Sequence, residues 1–258
     1  MKCLLHAAAL LVAAAAASCG SNATGSTMSG SPTTPTAVAV TTPPAPATPV
    51  VSLPAMYQDF GNGTQVSLDG QVVILRTRDL PDHNSPYYGA GHPQYESPHP
   101  GMQVNPNLIV TQNLVFRVPA SPAAAAQSDT PLGPIGVAVN GVALFNQYAA
   151  GRSPLTSEIP SFDRYSGHPQ QAGQYHYHVE PVWIAAARGK SALIGVLLDG
   201  FPVYGTVEAD GSAPSGLDAC NGHVGPTPHV GQGIYHYHVT ASPPYISGCF
   251  RGAPGSIG

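Results

Sequence analysis

A short pattern of alternating tyrosine and histidine occurs twice in this chain. Tyr-His-Tyr-His-Val spans residues 175–179 and again residues 235–239. In a β-strand, successive side chains point to opposite faces of the sheet. Both histidines of each copy therefore share one face, and both tyrosines share the other. The pattern predicts two β-strands that each present a pair of imidazole side chains.

The repeated pattern closes a longer segment that also occurs twice. Residues 136–145 match residues 195–204, and each places Asn-Gly or Asp-Gly between two short apolar runs. Such an arrangement is a strong signal for a β-hairpin. Because the matching blocks follow one another in the same order, we expect a tandem duplication with copies at 136–179 and 195–239. The second copy has an insertion near residues 226–233.

Composition favours strands and ordered loops over long helices. Charged residues make up only 9% of the chain, whereas Gly and Pro number 29 and 28. Long amphipathic helices need many Glu, Lys and Leu residues instead. We predict a mainly β fold: a single sandwich- or barrel-like domain over residues 53–258, with long Pro/Gly-rich loops and one or two short helices.

Local patterns predict further elements outside the repeated blocks. Apolar or alternating residues indicate strands at 66–68, 72–77 and 108–118. Residues 181–188 are expected to form a short helix, and residues 121–127 are a weaker helical candidate. The chain between these elements is rich in Pro and Gly, and we expect it to form loops.

The N-terminal part of the chain predicts export. Residues 1–19 resemble a signal peptide, because Lys2 precedes an apolar run that is too short for a membrane span of about 20 residues. Small residues before Cys19 resemble the site at which bacterial lipoproteins are cut and lipidated; ordinary secretory cleavage is the alternative. Residues 20–52 carry no charge and are expected to be a flexible linker. We therefore expect the protein at the bacterial cell envelope, anchored to the membrane through Cys19, or otherwise secreted.

Charge and cysteine content limit the partners. The net charge is −4 and basic residues do not cluster, so nucleic acid is not an expected partner. Cys220 and Cys249 are the two cysteines of the predicted domain, and an even pair in an oxidising compartment is typical of a disulfide. The alternative role for either cysteine is that of a thiolate metal ligand.

The paired histidines predict metal binding. Same-face neighbours on a strand lie about 6.5–7 Å apart, and metal–nitrogen bonds of about 2.0–2.1 Å let two such imidazoles reach one ion. The two copies either share one site or hold one ion each.

Each copy also has an aspartate five residues before a histidine, and this carboxylate either binds the metal or orients a histidine ligand. The expected metal-site residues are His168, His176, His178, His223, His236, His238, Asp163, Asp218 and His83. Copper, zinc and iron suit such ligands, so a transition metal ion is the expected cofactor.

A structural role is the competing interpretation of these side chains. A half-buried strand of tyrosine and histidine can hold its histidines by hydrogen bonds to backbone or carboxylate groups. Two aligned copies favour metal binding for the paired histidines, whereas His92 and His99 lie in loops without a supporting spacing. Asn140 and Asp199 are expected to form the hairpin turns. The four tyrosines of the repeated pattern are expected in the core.

Three further blocks resemble the YHYH-domain proteins. They are Leu-Asp-Gly-Phe-Pro-Val-Tyr-Gly at 198–205, Leu-Asp-Ala-Cys-Asn-Gly-His at 217–223 and Pro-Tyr-Ile-Ser-Gly-Cys-Phe-Arg-Gly at 244–252. The resemblance extends over most of the chain from about residue 81 to residue 252. It implies export and a histidine-rich site but no particular reaction. The first copy departs from the second at Tyr165, where the second copy has Cys220, so only the second copy can form the disulfide.

Three functions are compatible with these features. The first is an exported protein that binds a transition metal through its paired histidine strands. The second is a metal-dependent hydrolase or oxidase, although the chain shows no P-loop, nucleophile elbow or zinc-protease helix. The third is a metal-free surface or carbohydrate-binding module. Convergence of the histidine nitrogens would support a metal site, and an adjoining pocket would favour an enzyme.

Overall fold

The computed structural model describes residues 51–258. The predicted signal peptide, Cys19 and nearly all of the predicted linker lie outside the described residues. Within the described part, no helix is long and apolar enough to cross a membrane.

Strands account for most of the regular structure of residues 51–258. In chain order, they are β1 Gln65–Asp69, β2 Val72–Thr77, β3 Leu114–Pro119, β4 Ala124–Asp129, β5 Pro134–Ala138, β6 Ala143–Phe145, β7 Gly167–Pro169, β8 Tyr175–Tyr177, β9 Leu193–Leu197, β10 Pro202–Tyr204, β11 Gly222–Thr227, β12 Val230–His238, β13 Cys249–Gly252 and β14 Ser256–Ile257. An α-helix, α1, covers Val182–Arg188. Short 3-10 helices cover Ala55–Asp59, Pro86–Tyr88, Ala150–Arg152, Leu155–Ser157 and Ile159–Ser161.

Eight strands form one large sheet whose pairing pattern is the same from either edge. The strand order is β11-β12-β10-β9-β5-β6-β8-β7. β5 and β6 form an antiparallel hairpin, β6 pairs with β8 in parallel, and β8 pairs with β7 antiparallel. β9, β10, β12 and β11 repeat these pairings in the other half. The halves correspond to the predicted copies, and their origin by duplication stays a prediction.

The two halves of the large sheet meet where β5 pairs antiparallel with β9. Gly136 of β5 and Gly195 of β9 lie at this junction. A Cβ atom at Gly136 would clash with the carbonyl oxygen of Val196, and a Cβ atom at Gly195 would clash with that of Val137. The two backbones therefore approach each other at positions where a side chain does not fit.

The smaller sheets share a core with the large one. β1, β2, β3 and β14 form a four-stranded sheet in that order, and β4 pairs with β13. Val73, Leu75 and Phe116 of the four-stranded sheet are buried in one cluster with Val137 and Val196 of the large sheet. The predicted mainly β fold with short helices and multiple loops is confirmed.

Most of the local predictions agree with the structure. α1 is the helix expected at residues 181–188, and β2 coincides with the strand expected at 72–77. The strand expected at 108–118 begins only at Leu114. The helix considered at 121–127 is wrong, because β4 begins at Ala124 and includes three of the four alanines there. Its pairing with β13 outweighs the helix propensity of alanine.

A disulfide joins the C-terminal segment to the second half of the large sheet. Cys220, just before β11, is bonded to Cys249 at the start of β13, as predicted. The Ser247 hydroxyl lies 2.9 Å from the carbonyl oxygen of Cys220 and 2.6 Å from that of Cys249. Because both sulfur atoms are in the disulfide, neither is a thiolate ligand.

Candidate metal centres

The Tyr-His-Tyr-His segments lie at β8 and at the end of β12, and their side chains alternate as predicted. On one face of the first segment, the rings of His176 and His178 have centroids 4.7 Å apart. On the other face, the rings of Tyr175 and Tyr177 have centroids 5.6 Å apart. Pairing of β7 with β8 adds a third histidine, because His168 lies directly opposite His176.

The second cluster consists of Glu208, His223, His236 and His238. The Nε2 atom of His236 lies 3.1 Å from that of His223 and 3.0 Å from that of His238. Glu208 Oε1 lies 3.1 Å from His223 Nε2 and 3.4 Å from His238 Nε2. Ligand atoms around a tetrahedral ion with bonds of about 2.0–2.1 Å lie about 3.3 Å apart. These four side chains therefore have the spacing of a single metal site.

Backbone carbonyl groups orient all three imidazoles of the second cluster. Each Nδ1 atom lies 2.8–3.0 Å from a carbonyl oxygen; for His223, His236 and His238 the acceptors are Ser215, Ile234 and Gly205, in that order. A carbonyl oxygen only accepts hydrogen bonds, so each ring carries its proton on Nδ1. The Nε2 atom of each ring then has a free lone pair inside the cluster. Metal-binding histidines are commonly oriented in this way through their other nitrogen.

The first cluster consists of Glu158, His168, His176 and His178. The Nε2 atoms of His176 and His178 lie 3.0 Å apart, and Glu158 Oε2 lies 3.6 Å from the Nε2 atoms of both His168 and His178. Ligand atoms of the three histidines all lie within 4.8 Å of one another. The Nε2 atom of His168 is buried and has no hydrogen-bond partner in the described chain. Since buried polar atoms are normally paired, this atom fits a metal ligand.

Acceptors also fix the Nδ1 protons of the paired histidines in the first cluster. His176 donates to the carbonyl oxygen of Gln174 over 3.1 Å, and His178 donates to that of Asn146. The second cluster has the same arrangement. Ile234 lies two residues before His236, as Gln174 does before His176, and Gly205 follows β10 as Asn146 follows β6. Equivalent carbonyl groups therefore orient the paired rings in both halves.

His168 is oriented by a side chain, unlike the other histidines of the two clusters. Its Nδ1 atom lies 2.8 Å from Ser161 Oγ, and that hydroxyl donates its proton to the carbonyl oxygen of Glu158 over 2.7 Å. The serine oxygen therefore accepts from His168. This leaves the Nε2 atom of His168 without a proton, as in the other five rings.

Facing lone pairs make both clusters well suited to a cation. Two Nε2 atoms that lie 3.0 Å apart and both lack a proton cannot hydrogen-bond to each other. A metal ion bound by both atoms turns this repulsion into two bonds. The donor set of three imidazoles and one carboxylate matches copper, zinc or iron.

Burial disfavours protonation of the clustered histidines. It lowers the pKa of His178 to about 4, and burial together with the neighbouring His178 lowers the pKa of His168 to about 3. Burial also lowers the pKa of His176, His236 and His238. These imidazoles stay neutral near pH 7, which is the form that binds metal ions.

The two aspartates of the repeats lie with the tyrosines and not in the clusters. Asp163 accepts a hydrogen bond from the Tyr175 hydroxyl over 2.8 Å, and Asp218 accepts one from the Tyr235 hydroxyl over 3.0 Å. Each Oδ1 atom also accepts from backbone N–H groups two and four residues later. The aspartates thus differ from the expected ligands, because they close the turns that carry the third histidine of each cluster.

The remaining histidines predicted from the sequence lie outside the clusters as well. His83 Nε2 lies 3.0 Å from the Tyr177 hydroxyl, and its Nδ1 atom lies 2.8 Å from the carbonyl oxygen of Asn84. Tyr177 is on the face opposite to the first cluster, so the structure does not bring His83 to the other expected ligands. His92 stacks on a tyrosine ring, and His99 bonds to a backbone carbonyl.

The hairpin residues Asn140 and Asp199 also support the tyrosine face. Both lie in the turns predicted for them, after β5 and after β9. The Asn140 side-chain amide lies 3.2 Å from the Tyr177 hydroxyl, and Asp199 accepts a hydrogen bond from the Tyr237 hydroxyl over 2.6 Å. Each half therefore holds its tyrosines from one side and presents its histidines on the other.

Sequence reasoning missed Glu158 and Glu208. Both lie in irregular or 3-10 segments, where no periodic pattern marks them. The sequence nevertheless contains a clue. The chain has only four glutamates, and one of them lies shortly before the aspartate and histidine that each copy repeats. The spacing predicts the aspartates, and not these glutamates, as the carboxylate ligands.

The two clusters differ in the space beside them. A cavity of about 650 Å³ adjoins the first cluster, and Glu158, His168, His176 and His178 all line it. The gap beside His236 in the second cluster has no room for a water molecule. An ion in the first cluster would thus face a cavity, whereas the second cluster has no adjoining cavity, and two of its members, Glu208 and His223, are only partly buried.

Comparison with known proteins identifies one family. The searches of curated proteins and of solved structures found no match. A family model described as YHYH protein matches residues 115–215 and 206–252. The matched segments cover more than half of the chain and contain both clusters. The chain therefore belongs to the YHYH protein family.

Proposed function

We propose that this protein binds two transition metal ions, one in each cluster, at the envelope of a bacterial cell. Copper, zinc and iron are the candidate ions. The observation that carries the proposal occurs in both clusters: two Nε2 atoms lie 3.0 Å apart in rings whose Nδ1 atoms each lie against a backbone carbonyl oxygen. Hydrogen bonds alone do not account for such a pair, since neither nitrogen has a proton to donate.

The strand order supports two separate ions over one shared ion. Five strand-to-strand steps separate β8 from β12 in the large sheet. Neighbouring strands lie about 4.8 Å apart, so the two histidine strands are on the order of 24 Å from each other. This distance is far beyond the reach of ligands to one ion.

Elemental analysis of the purified protein tests the proposal. We expect about two metal ions per chain in the wild type. The paired variants His176→Ala/His178→Ala and His236→Ala/His238→Ala should each hold about one. His92→Ala is the matched control, because it removes a loop histidine outside both clusters and should leave two ions.

Two outcomes would contradict metal binding. One is wild-type protein without stoichiometric metal after purification and after incubation with copper, zinc and iron salts. The other is a paired variant that folds normally, by circular dichroism, and still holds both ions. Glutamine replacements at the same positions keep most of the side-chain volume and separate the loss of ligands from a loss of packing.

The envelope location rests on other residues. The disulfide between Cys220 and Cys249 is typical of an oxidising compartment, and the lipoprotein-like sequence at Cys19 supports membrane anchoring. We expect the full chain in the membrane fraction of a bacterial host and a Cys19→Ser variant outside it. Equal fractionation of the two proteins would contradict a lipid anchor.

A metalloenzyme is a second candidate function, because the cavity meets the first cluster. The two reaction types differ in the ion they need. Zinc in the first cluster would favour hydrolysis, whereas copper or iron would favour oxidation of a substrate. Element-specific analysis of the variant that keeps only the first cluster separates these alternatives.

A further inference from the structure

The cavity beside the first cluster has an unusual lining. Apart from the residues of the cluster itself, none of the side chains that line it is charged. Side-chain amides are the most frequent polar groups; they belong to Gln103, Asn105, Asn107, Asn146, Gln170 and Gln171. Tyr148 adds an aromatic ring that is partly accessible.

The amide groups of the lining fall into two sets. Four are used by the protein: Asn105 and Asn107 donate to the backbone carbonyl of Pro169, Asn146 donates to that of Pro131, and Gln170 donates to the side-chain oxygen of Gln174. Gln103 and Gln171 are exposed. The first set shapes the wall of the cavity, and the second set is accessible to a molecule that enters it.

We propose that this cavity binds a neutral, polyhydroxylated ligand of the sugar type, which also contacts the metal ion of the first cluster. The assignment rests on the proposed metal-binding function. It gives the two clusters different roles: the first metal ion meets an external ligand, and the second has no adjoining cavity to hold one.

The chemistry of the lining selects for hydroxyl groups. An amide side chain offers both a donor and an acceptor, as a sugar hydroxyl does. The one carboxylate that lines the cavity, Glu158, is a ligand of the proposed ion, so an ammonium group has no free carboxylate to pair with. A sugar acid has no cationic side chain to pair with and would have to place its carboxylate on the ion itself. The Arg152 guanidinium lies over one face of the Tyr148 ring, 5.3 Å from its centre, so the other face is the one that offers an apolar surface for the C–H face of a sugar ring.

The size of the cavity agrees with a small ligand. Its volume of about 650 Å³ lies within the range of about 300–1,000 Å³ that is typical of small-molecule sites. All four residues of the first cluster line this space, so a ligand inside it reaches the metal position. The second cluster lacks such a space, and we expect no ligand there.

Calorimetric titration of the metal-loaded protein tests this assignment. The probes are glucose, galactose, mannose, N-acetylglucosamine and maltose, compared with glucuronate and glucosamine. We expect saturable binding of at least one neutral sugar and weaker binding of the two charged ones. The Gln103→Leu/Gln171→Leu variant should bind that sugar at least about tenfold more weakly, because two exposed hydrogen-bonding groups are lost.

Matched variants locate the binding. Gln71→Leu, in the turn between β1 and β2, replaces an exposed glutamine outside the cavity and should bind like the wild type. The His236→Gln/His238→Gln variant should retain sugar binding, whereas His176→Gln/His178→Gln should lose it. Binding that survives in the latter variant, or that is unchanged in the double-leucine variant, would overturn the assignment.

Metal content measured in the same samples separates the two proposals. Full metal occupancy without saturable binding of neutral sugars up to about 10 mM would overturn the ligand assignment and leave metal binding intact. A preference for the charged sugars or for a blocked neutral peptide would also overturn it. Absence of metal from the first cluster would instead defeat the proposed function.

Discussion

The Nε2 atom of His236 lies 3.0 Å from the Nε2 atom of His238, and both rings donate their Nδ1 protons to backbone carbonyls. The remaining lone pairs therefore face each other in a buried site. The pair is oriented for an ion before any ion binds, because the carbonyl acceptors belong to the sheet and its connections. Metal affinity and the stability of the fold should consequently depend on each other.

Removal of metal should destabilise the protein. A ligand that binds only the folded state stabilises it by about 2.7 kcal/mol per site when its free concentration is 100 times the dissociation constant. We expect a chelator to lower the thermal unfolding midpoint and re-added metal to restore it. The measurement is thermal unfolding by circular dichroism. A midpoint that does not respond to chelation, in protein shown to have lost its metal, would argue against binding in the clusters.

Substitution of Ser161 should weaken the first metal site alone. Its hydroxyl accepts the Nδ1 proton of His168, and loss of such an orienting group typically lowers metal affinity by about 10–100-fold. We expect this loss in Ser161→Ala by competition with a chromophoric chelator, with the second site unchanged. Ser157→Ala is the control, because that exposed hydroxyl bonds only to a neighbouring backbone carbonyl. Equal affinities in the two variants would refute the orienting role.

The metal-free protein should lose stability as the pH falls below about 6.5. Burial lowers the pKa of His178 to about 4, so below pH 6.5 the unfolded chain takes up a proton that the folded chain does not. Since one pKa unit corresponds to about 1.4 kcal/mol, this residue alone should cost about 3 kcal/mol between pH 7 and pH 4.

Urea unfolding at a series of pH values measures this dependence. His178→Gln should show a smaller loss over the same interval, because the glutamine does not titrate. His92→Gln, at a histidine outside the clusters, serves as the control and should follow the wild type. A His178→Gln profile parallel to that of the wild type would show that His178 is not responsible.

Loss of the disulfide should destabilise the domain. Cys220 and Cys249 are 29 residues apart in sequence, and closing a loop of this length contributes about 3–4 kcal/mol in the chain-entropy model. We expect Cys220→Ala/Cys249→Ala to lower the free energy of unfolding in guanidinium by that amount. Reduction of the wild type should have a similar effect. A loss below about 1 kcal/mol would mean that Ser247 and the surrounding core hold the segment without the covalent bond.

The histidine strands could be predicted from the sequence because their chemistry repeats with the period of a strand. The side chains of His176 and His178 share a face for a local geometric reason, and so do those of Tyr175 and Tyr177. Whether two such strands share an ion depends instead on long-range pairing. β8 and β12 lie far apart because the central β5–β9 pair separates them, and no local pattern specifies that order.

The role of Asp163 shows why spacing alone misleads. An aspartate five residues before a histidine resembles a ligand pair, yet its Oδ1 atom accepts backbone N–H groups within the intervening turn. Aspartate is common in turns for this reason. Glu158 reaches the first cluster from a segment without regular periodicity, so its position follows from the fold and not from its neighbours in sequence.

The close backbone approach of β5 and β9, at Gly136 and Gly195, has a consequence for how the protein can be divided. Each half carries a complete cluster, but β5 and β9 supply each other's backbone hydrogen bonds across this contact. A fragment cut between α1 and β9 would expose an apolar strand edge, which favours aggregation. Neither half is therefore expected to fold by itself, so unfolding should abolish both sites together, although either ion can be lost separately from the folded protein.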